Sequence, residues 1–222
     1  MEESTSREKV LKRVRNALIY KKDNPYAHVD FDSPIYKDLE DLPDVTFARE
    51  LTKVGVQFVY CEGEDDLVST LSALASDRDW HDVFCTDPSM QYILTQAGIP
   101  FQSDQEALRD MKVGVTGCEY LIARLGSVMI SSRQDSGRRL NVYPEIHIII
   151  AYTHQLVEDL KDAIAAIREK YTNKLPSLIS VITGPSRTAD IEKTLVMGAH
   201  GPKELFVFFT EVEEDVITDE ET

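Results

Sequence analysis

Residues with chemical potential gather in a few polar turns of this chain. The densest is Gly184-Pro185-Ser186-Arg187-Thr188, which follows a short β-branched run at 178–183. Gly frees the backbone and Pro fixes φ, so the segment reads as a tight turn after a buried strand. The residues after it read as a short helix ended at Gly198, with Asp190 and Glu192 in the first turn, where the macrodipole favours negative charge. A strand that runs into a Gly turn and a helix start leaves N–H groups converging on one spot, which suits a carboxylate or a phosphate. Gly184, Pro185, Ser186 and Asp190 are therefore candidate ligand-binding residues. A turn that needs Gly and Pro for shape alone is the alternative. His200-Gly201-Pro202 makes a second turn before another buried strand at 205–209. It puts His200 forward as an acid/base group, with Gly201 beside it.

Thr116-Gly117 closes an apolar run at 113–116. In α/β sheets ligands bind beyond the C-terminal ends of strands. If this strand neighbours the one at 178–183, the Thr116 and Ser186 hydroxyls share a pocket; a strand–helix turn that needs Gly is the plainer reading. The loop 131–143 is long and polar, and it lies between two strands. Its Arg138 and Arg139 offer planar forks for a carboxylate or phosphate, a basic cluster in an acidic protein. Solvated surface arginines are the other possibility. The histidines, at 28, 81, 147, 154 and 200, show neither H-x-H nor HExxH spacing, so no metal site is expected. His147 sits inside an apolar strand and reads as a buried, hydrogen-bonded core residue. The chain has no Ser-His-Asp order, no nucleophile elbow, no phosphate-binding lysine loop and no GxGxxG turn.

These turns need a scaffold, and the periodicity supplies one. A first helix runs from a cap at 4–6 to about residue 20. Val10, Leu11, Val14, Ala17 and Leu18 form its apolar stripe, surrounded by Arg7, Lys9, Lys12, Arg13 and Arg15. Packing on its own domain or on a sister subunit, which makes a homo-oligomer possible, is favoured over a membrane surface. An aperiodic arm with Pro25, Pro34 and Pro43 follows. Helices and strands then alternate: helix 45–54, strand 56–60, helix 64–76, strand 83–85, a helix opened by Asp87-Pro88 and stopped by Gly98, strands at 113–116, 128–131 and 146–151, and helix 153–171. This pattern predicts an α/β fold, a three-layer α/β/α sandwich with a mostly parallel sheet and an N-terminal helical arm. The expected divisions are arm 1–44, body 45–210 and an acidic, solvated tail 211–222 without a basic residue.

The net charge of −15 over 222 residues argues against a nucleic-acid partner, whose phosphates need Lys and Arg clusters. No stretch is apolar for long enough to span a bilayer, and MEESTSREKV lacks the apolar segment of a signal peptide. A cytoplasmic protein is the simplest expectation. Cys61, Cys85 and Cys118 are far apart and form no CxxC, so neither a disulfide framework nor an iron–sulfur cradle is expected.

Residues 184–205, GPSRTADIEKTLVMGAHGPKEL, resemble the closing signature of the LUD-domain family, of the lactate-utilisation protein C type. Gly114-Val115-Thr116-Gly117, with Ala123 and Gly126, is similar to the family's other recurrent segment. Gly137-Arg138-Arg139, Pro144 and His147 fall where its central segment puts them. The resemblance covers 113–209. It implies a fold like that of ribose-5-phosphate isomerase and the CoA transferases, and a role in oxidising L-lactate to pyruvate. Glu119 stands where the family commonly has an acidic residue and joins His200 as a candidate catalytic group. Arg124-Leu125 departs from the family's usual Glu-Thr, so no role of that glutamate carries over. Cys118 stands where the family has a small apolar residue, which points to packing.

The expectation is thus the cluster-free component of a multi-protein lactate-oxidising system. It would bind a small carboxylate or phosphate-bearing ligand, hold no cofactor itself and work with iron–sulfur partner proteins. Two alternatives stand beside it. One is a binding or regulatory module for such a metabolite. The other is an isomerase, deaminase or acyl-CoA transfer enzyme, suggested by fold analogy alone.

Overall fold

The computed structural model of the protein describes residues 5–19, 26, 28–30, 37–172, 174–189, 195–197 and 201–211. Expectations for Asp190, Glu192, Gly198, His200, most of the proline arm and the tail beyond Glu211 lie outside those residues. The chain divides into two units, Met1–Asp38 and Leu39–Thr222. In the first, helix α1 (Ser6–Ile19) starts on a reciprocal cap. The Glu8 N–H donates to Thr5 Oγ1 at 3.4 Å and the Thr5 N–H to the Glu8 carboxylate at 2.8 Å, which selects Thr5 among the three candidate caps. Val10, Leu11, Val14 and Leu18 of its apolar stripe are exposed.

The second unit opens with α2 (Pro43–Lys53), β1 (Gln57–Cys61) and α3 (Glu64–Asp77). After β2 (Val83–Phe84) comes α4 (Pro88–Gln96), where the Asp87 carboxylate accepts from the N–H groups of Ser89 and Met90 at 3.0 and 3.4 Å. The chain continues through β3 (Phe101–Gln102), β4 (Val113–Thr116), β5 (Tyr120–Ile122), β6 (Ser127–Ser131), β7 (Ile146–Tyr152) and β8 (Leu156–Val157). It ends with α5 (Leu160–Lys170), β9 (Ile179–Ile182), β10 (Arg187–Ala189), β11 (Leu195–Met197) and β12 (Glu204–Thr210).

Six strands form one wholly parallel sheet in the order β1-β12-β7-β4-β2-β3. β7 and β12 are almost continuously apolar, as strands covered on both faces must be. Ile148, Ile150, Phe206 and Phe208 pack with Leu67 and Leu71 of α3 and with Ile93 and Leu94 of α4. On the opposite face Ile149, Ala151, Leu205, Val207 and Phe209 pack with Phe47 and Leu51 of α2 and with Leu121, Val128 and Ile130. Those last three belong to a second, four-stranded mixed sheet in the order β8-β5-β6-β9. Its far side buries Ile122 and Met129 against Ala163 and Ile167 of α5. The α/β class and the mostly parallel central sheet are those the alternating pattern predicts. The small sheet between the central sheet and α5 is additional to it.

Three local expectations are corrected. The strands at 128–131 and 178–183 lie in the small sheet, so the turns at Thr116 and Ser186 do not follow neighbouring strands. The segment after Ser186 is an antiparallel pairing of β10 with β11, not a helix, because cross-strand bonds replace the local ladder that a helical reading assumes. The helix expected at 153–171 begins at Leu160. Before it, the Gln155 side chain accepts from the Tyr152 N–H at 2.8 Å and donates to the Cys118 carbonyl at 2.7 Å. Leu156 and Val157 then pair with β5, and the Asp162 carboxylate caps the helix by accepting from the Asp159 N–H at 3.1 Å.

Candidate functional site

His147 is the second residue of β7 and is completely buried. It lies in register with Gly114 of β4 and Leu205 of β12, on the sheet face that meets the small sheet. Its Nε2 is 2.9 Å from the hydroxyl of Thr116, itself fully buried, while its Nδ1 has no hydrogen-bond partner among the described residues. Burial alone pulls its pKa down to about 4, so the imidazole is neutral at pH 7.

The long loop between β6 and β7 covers this region. It passes over Gly114 so closely that a Cβ there would lie 2.7 Å from Pro144 Cγ and 3.1 Å from Leu140 Cδ2. The Thr86 hydroxyl fastens the loop by donating to the Asp135 carbonyl at 2.9 Å. Within it, the N–H groups of Val142 and Tyr143 donate to the Arg139 carbonyl at 3.0 and 3.1 Å. This fold-back carries Asn141 inward to 9% exposure. Asn141 Nδ2 donates to the Gly137 carbonyl at 3.2 Å, and Oδ1 has no partner among the described residues.

His147, Asn141 and Val142 line one side of a cavity of about 170 Å³. Ile182 and Gly184 at the end of β9, Ser186, Gly201, Pro202 and Leu205 close the rest. The Ser186 N–H donates to the Pro202 carbonyl at 2.8 Å, which ties the two turns together. Gly201 has φ +114°, and a Cβ there would stand 3.1 Å from Ser186 Cβ, so only glycine allows this approach without strain. His147 and Leu205 lie at the starts of β7 and β12, so the cavity sits at the N-terminal end of the central strands. That is opposite to the end where sheets of this class are expected to bind ligands.

Gly184, Ser186 and Gly201 are thus brought together around one cavity. Thr116 reaches it at one remove, through His147. Pro185 lies between two lining residues without lining the cavity itself. Gly117 faces Asp87 and Met90 at the start of α4. Arg138 and Arg139 are exposed, and the Arg138 guanidinium donates to the Ser177 hydroxyl. The converging N–H groups of a helix start after Ser186 are not formed, because β10 begins there and the Ser186 N–H is already committed to Pro202.

Sequence reasoning placed His147 in the core and passed over Asn141, Val142 and Ile182. A histidine inside the run IHIIIA was a visible signal. An asparagine in a polar loop was not.

Glu119 stands in a different setting. Its side chain is sealed from solvent, and it accepts from the Ser131 hydroxyl at 2.5 Å, Lys170 Nζ at 2.8 Å and the Tyr171 hydroxyl at 2.9 Å. Burial and then the Glu119 hydrogen bond raise the Tyr171 pKa. Burial pulls the Lys170 ammonium down, but the bond to Glu119 and its charge outweigh this and hold the lysine above its ordinary value.

The three thiols are all buried. Burial pushes Cys61 up to about 11, Cys85 up to about 12, and Cys118 upward as well. Among the described residues no group of three or more His, Cys, Asp or Glu could hold a metal ion. No described helix is long and apolar enough to cross a membrane.

A model of the LUD domain matches residues 100–210, half of the chain. Lactate utilization protein C of Bacillus subtilis (strain 168) is 40% identical over 92 residues, covering 40% of this chain and 38% of that protein. Its counterpart in Anoxybacillus flavithermus is 35% identical over 107 residues, covering 48% of this chain and 47% of that protein. Lactate utilization protein C of Shouchella clausii is 30% identical over 145 residues, covering 62% and 61%. The chain therefore spans less than two thirds of the length of these curated relatives. Among solved structures, a DUF162 family protein from Deinococcus radiodurans superposes with a TM-score of 0.57 at 18% identity, covering 76% of this chain and 96% of that one. That likeness concerns the fold.

Proposed function

The chain belongs to the LUD-domain family, and on that premise we propose that it serves lactate utilisation as a cytoplasmic component that binds a small acid. The redox centre, on this reading, sits on iron–sulfur partner proteins. One observation carries it: every residue that lines the cavity falls within the stretch 100–210 that matches the family model, as does Thr116 behind it.

Oxidising L-lactate to pyruvate removes two electrons and two protons, and the electrons need an acceptor such as a flavin, a nicotinamide or an iron–sulfur relay. The buried thiols support an acceptor on another protein. Thiolates are what bind iron and sulfur, and apolar burial holds these three in the thiol form.

Lactate-dependent reduction of an artificial electron acceptor tests the proposal. The purified chain alone is expected to be inactive, and activity is expected once cysteine-rich partner proteins are added. Robust reduction by the isolated chain would make it the dehydrogenase itself. A second reading, a module that holds a small carboxylate or phosphorylated metabolite without transforming it, is favoured by there being one titratable group among the cavity's described lining residues. That group, His147, is kept neutral by burial and touches no nucleophile other than the Thr116 hydroxyl among the described residues.

A further inference from the structure

The apolar stripe of α1 lies open: Val10, Leu11, Val14 and Leu18 are between 50 and 65% exposed. At about 3.6 residues per turn, Arg7, Arg13 and Arg15 border that stripe. The helix carries five basic side chains and one acidic, Glu8, in a chain whose net charge is −15, so the rest of the chain is more acidic than the whole. A helix of 14 residues is marginal in water by itself and draws its stability from packing its apolar face. The surface that suits α1 is therefore apolar at its centre and acidic around it.

The body carries such a surface at the edge of the central sheet. β1 is the outermost strand, and its Tyr60 is half exposed. The Tyr60 ring lies 6.4 Å from that of Phe209, and its hydroxyl donates to the Glu211 carboxylate at 3.5 Å. Desolvation and then the charges of Glu211, Glu62 and Asp44 raise the Tyr60 pKa, so three carboxylates act on one ring. Leu42 and Val45, which flank Asp44 at the start of α2, are exposed as well.

We propose that α1 of one copy docks on the Tyr60 patch of a second copy, so that two chains exchange helices about a two-fold axis. The stripe covers Tyr60, Leu42 and Val45, and the bordering arginines meet Asp44, Glu62 and Glu211. Charge decides among the occupants. One α1 against another sets arginine against arginine. An anionic membrane attracts α1 but repels the acidic body joined to it. A second copy offers opposite charge and apolar area together, and in the single chain both faces are open to solvent.

The test is sedimentation velocity of the purified full chain over a range of micromolar concentrations. A concentration-dependent dimer is expected, and it should dissociate as salt rises. Arg13→Glu with Arg15→Glu in α1 should weaken it about tenfold or more, as should Glu62→Lys with Glu211→Lys in the patch, with Tm of the body unchanged. All four substitutions in one chain should restore the dimer to within about threefold of wild type, because the charges are exchanged and not lost. An equimolar mixture of the two weakened variants should associate where neither does so alone, since one helix and one patch remain intact and opposed. A chain that stays monomeric throughout overturns the proposal, as does a dimer indifferent to all four substitutions. A monomer that binds phosphatidylserine vesicles through α1 overturns it in favour of a lipid surface.

Discussion

Glu119 and His147 are both sealed from solvent within the same family-matched stretch, and they differ in how far their hydrogen bonds are filled. The Glu119 carboxylate receives a hydroxyl, an ammonium and a phenol from three other residues. Among the described residues His147 has a partner for one nitrogen of two, and Asn141 beside the same cavity has a partner for its amide nitrogen alone. A buried polar group whose bonds are filled braces the fold. One with an open bond costs stability instead. Glu119, the more conspicuous residue in the sequence, ties the start of β5 to β6 and the end of α5, and we propose on this contrast that it braces the fold.

The largest effect expected from breaking the contrast is at Glu119. Glu119→Ala strands the Ser131 and Tyr171 hydroxyls, leaves the half-exposed Lys170 ammonium to solvent, and should cost about 3 kcal/mol in urea denaturation, the upper end of the scale for hydrogen-bonding groups left without their partner. Affinity of the folded protein for L-lactate should change little. A variant of normal stability that no longer binds would reverse the two roles.

Next in size is a pH effect. The folded-state pKa of His147, about 4, lies below its ordinary 6.5. As pH falls between these values the unfolded chain takes up a proton that the folded one refuses. The stability tied to this residue is therefore present above about 6.5 and lost down to about 4, at up to ~1.4 kcal/mol per pH unit. Subtracting the profile of His147→Gln from that of the wild type should isolate this slope; parallel profiles would mean the ring is not held neutral.

Thr116→Val tests the link behind the cavity. It removes the partner of Nε2 and should cost roughly 1–3 kcal/mol by thermal or chemical melting. A melt unchanged from wild type would show that the bond between Thr116 and His147 adds nothing to stability.

The smallest effect is expected at the loop arginines. Arg138→Ala with Arg139→Ala should alter stability by no more than about 0.5 kcal/mol and leave affinity within roughly twofold. A ten- to hundredfold loss in titration would instead bring the loop over the ligand, as the sequence first suggests.

What the sequence disclosed was local in its causes. Asp87-Pro88 announces a helix start because cap and proline act within one turn, and the structure has both in place. The strand at 113–116 is a short apolar run between polar ends, and it forms over those four residues. The misread segments depend on partners distant in sequence. Leu156 and Val157 have helical neighbours on their C-terminal side, yet they pair with Leu121 and Ile122, more than thirty residues away. The Asp159–Asp162 spacing was a legible helix start that would have moved the boundary to its observed place. Gly184, Ser186 and Gly201 were legible as turn residues, and they meet at one cavity, because tight turns advertise themselves in Gly, Pro and Ser. Asn141 was not, since only the fold-back of its loop strips it of water and leaves its oxygen without a partner among the described residues.

The most direct test of the central claim reads the His147 ring itself. Long-range ¹H–¹⁵N NMR of the imidazole at pH 7 distinguishes the two nitrogens and reports which one carries the proton. The account predicts a neutral ring protonated at Nδ1, with Nε2 accepting from Thr116. Saturating L-lactate should perturb the ring resonances, since His147 lines the cavity. A charged ring at pH 7, or ring resonances that ignore bound lactate, would contradict it.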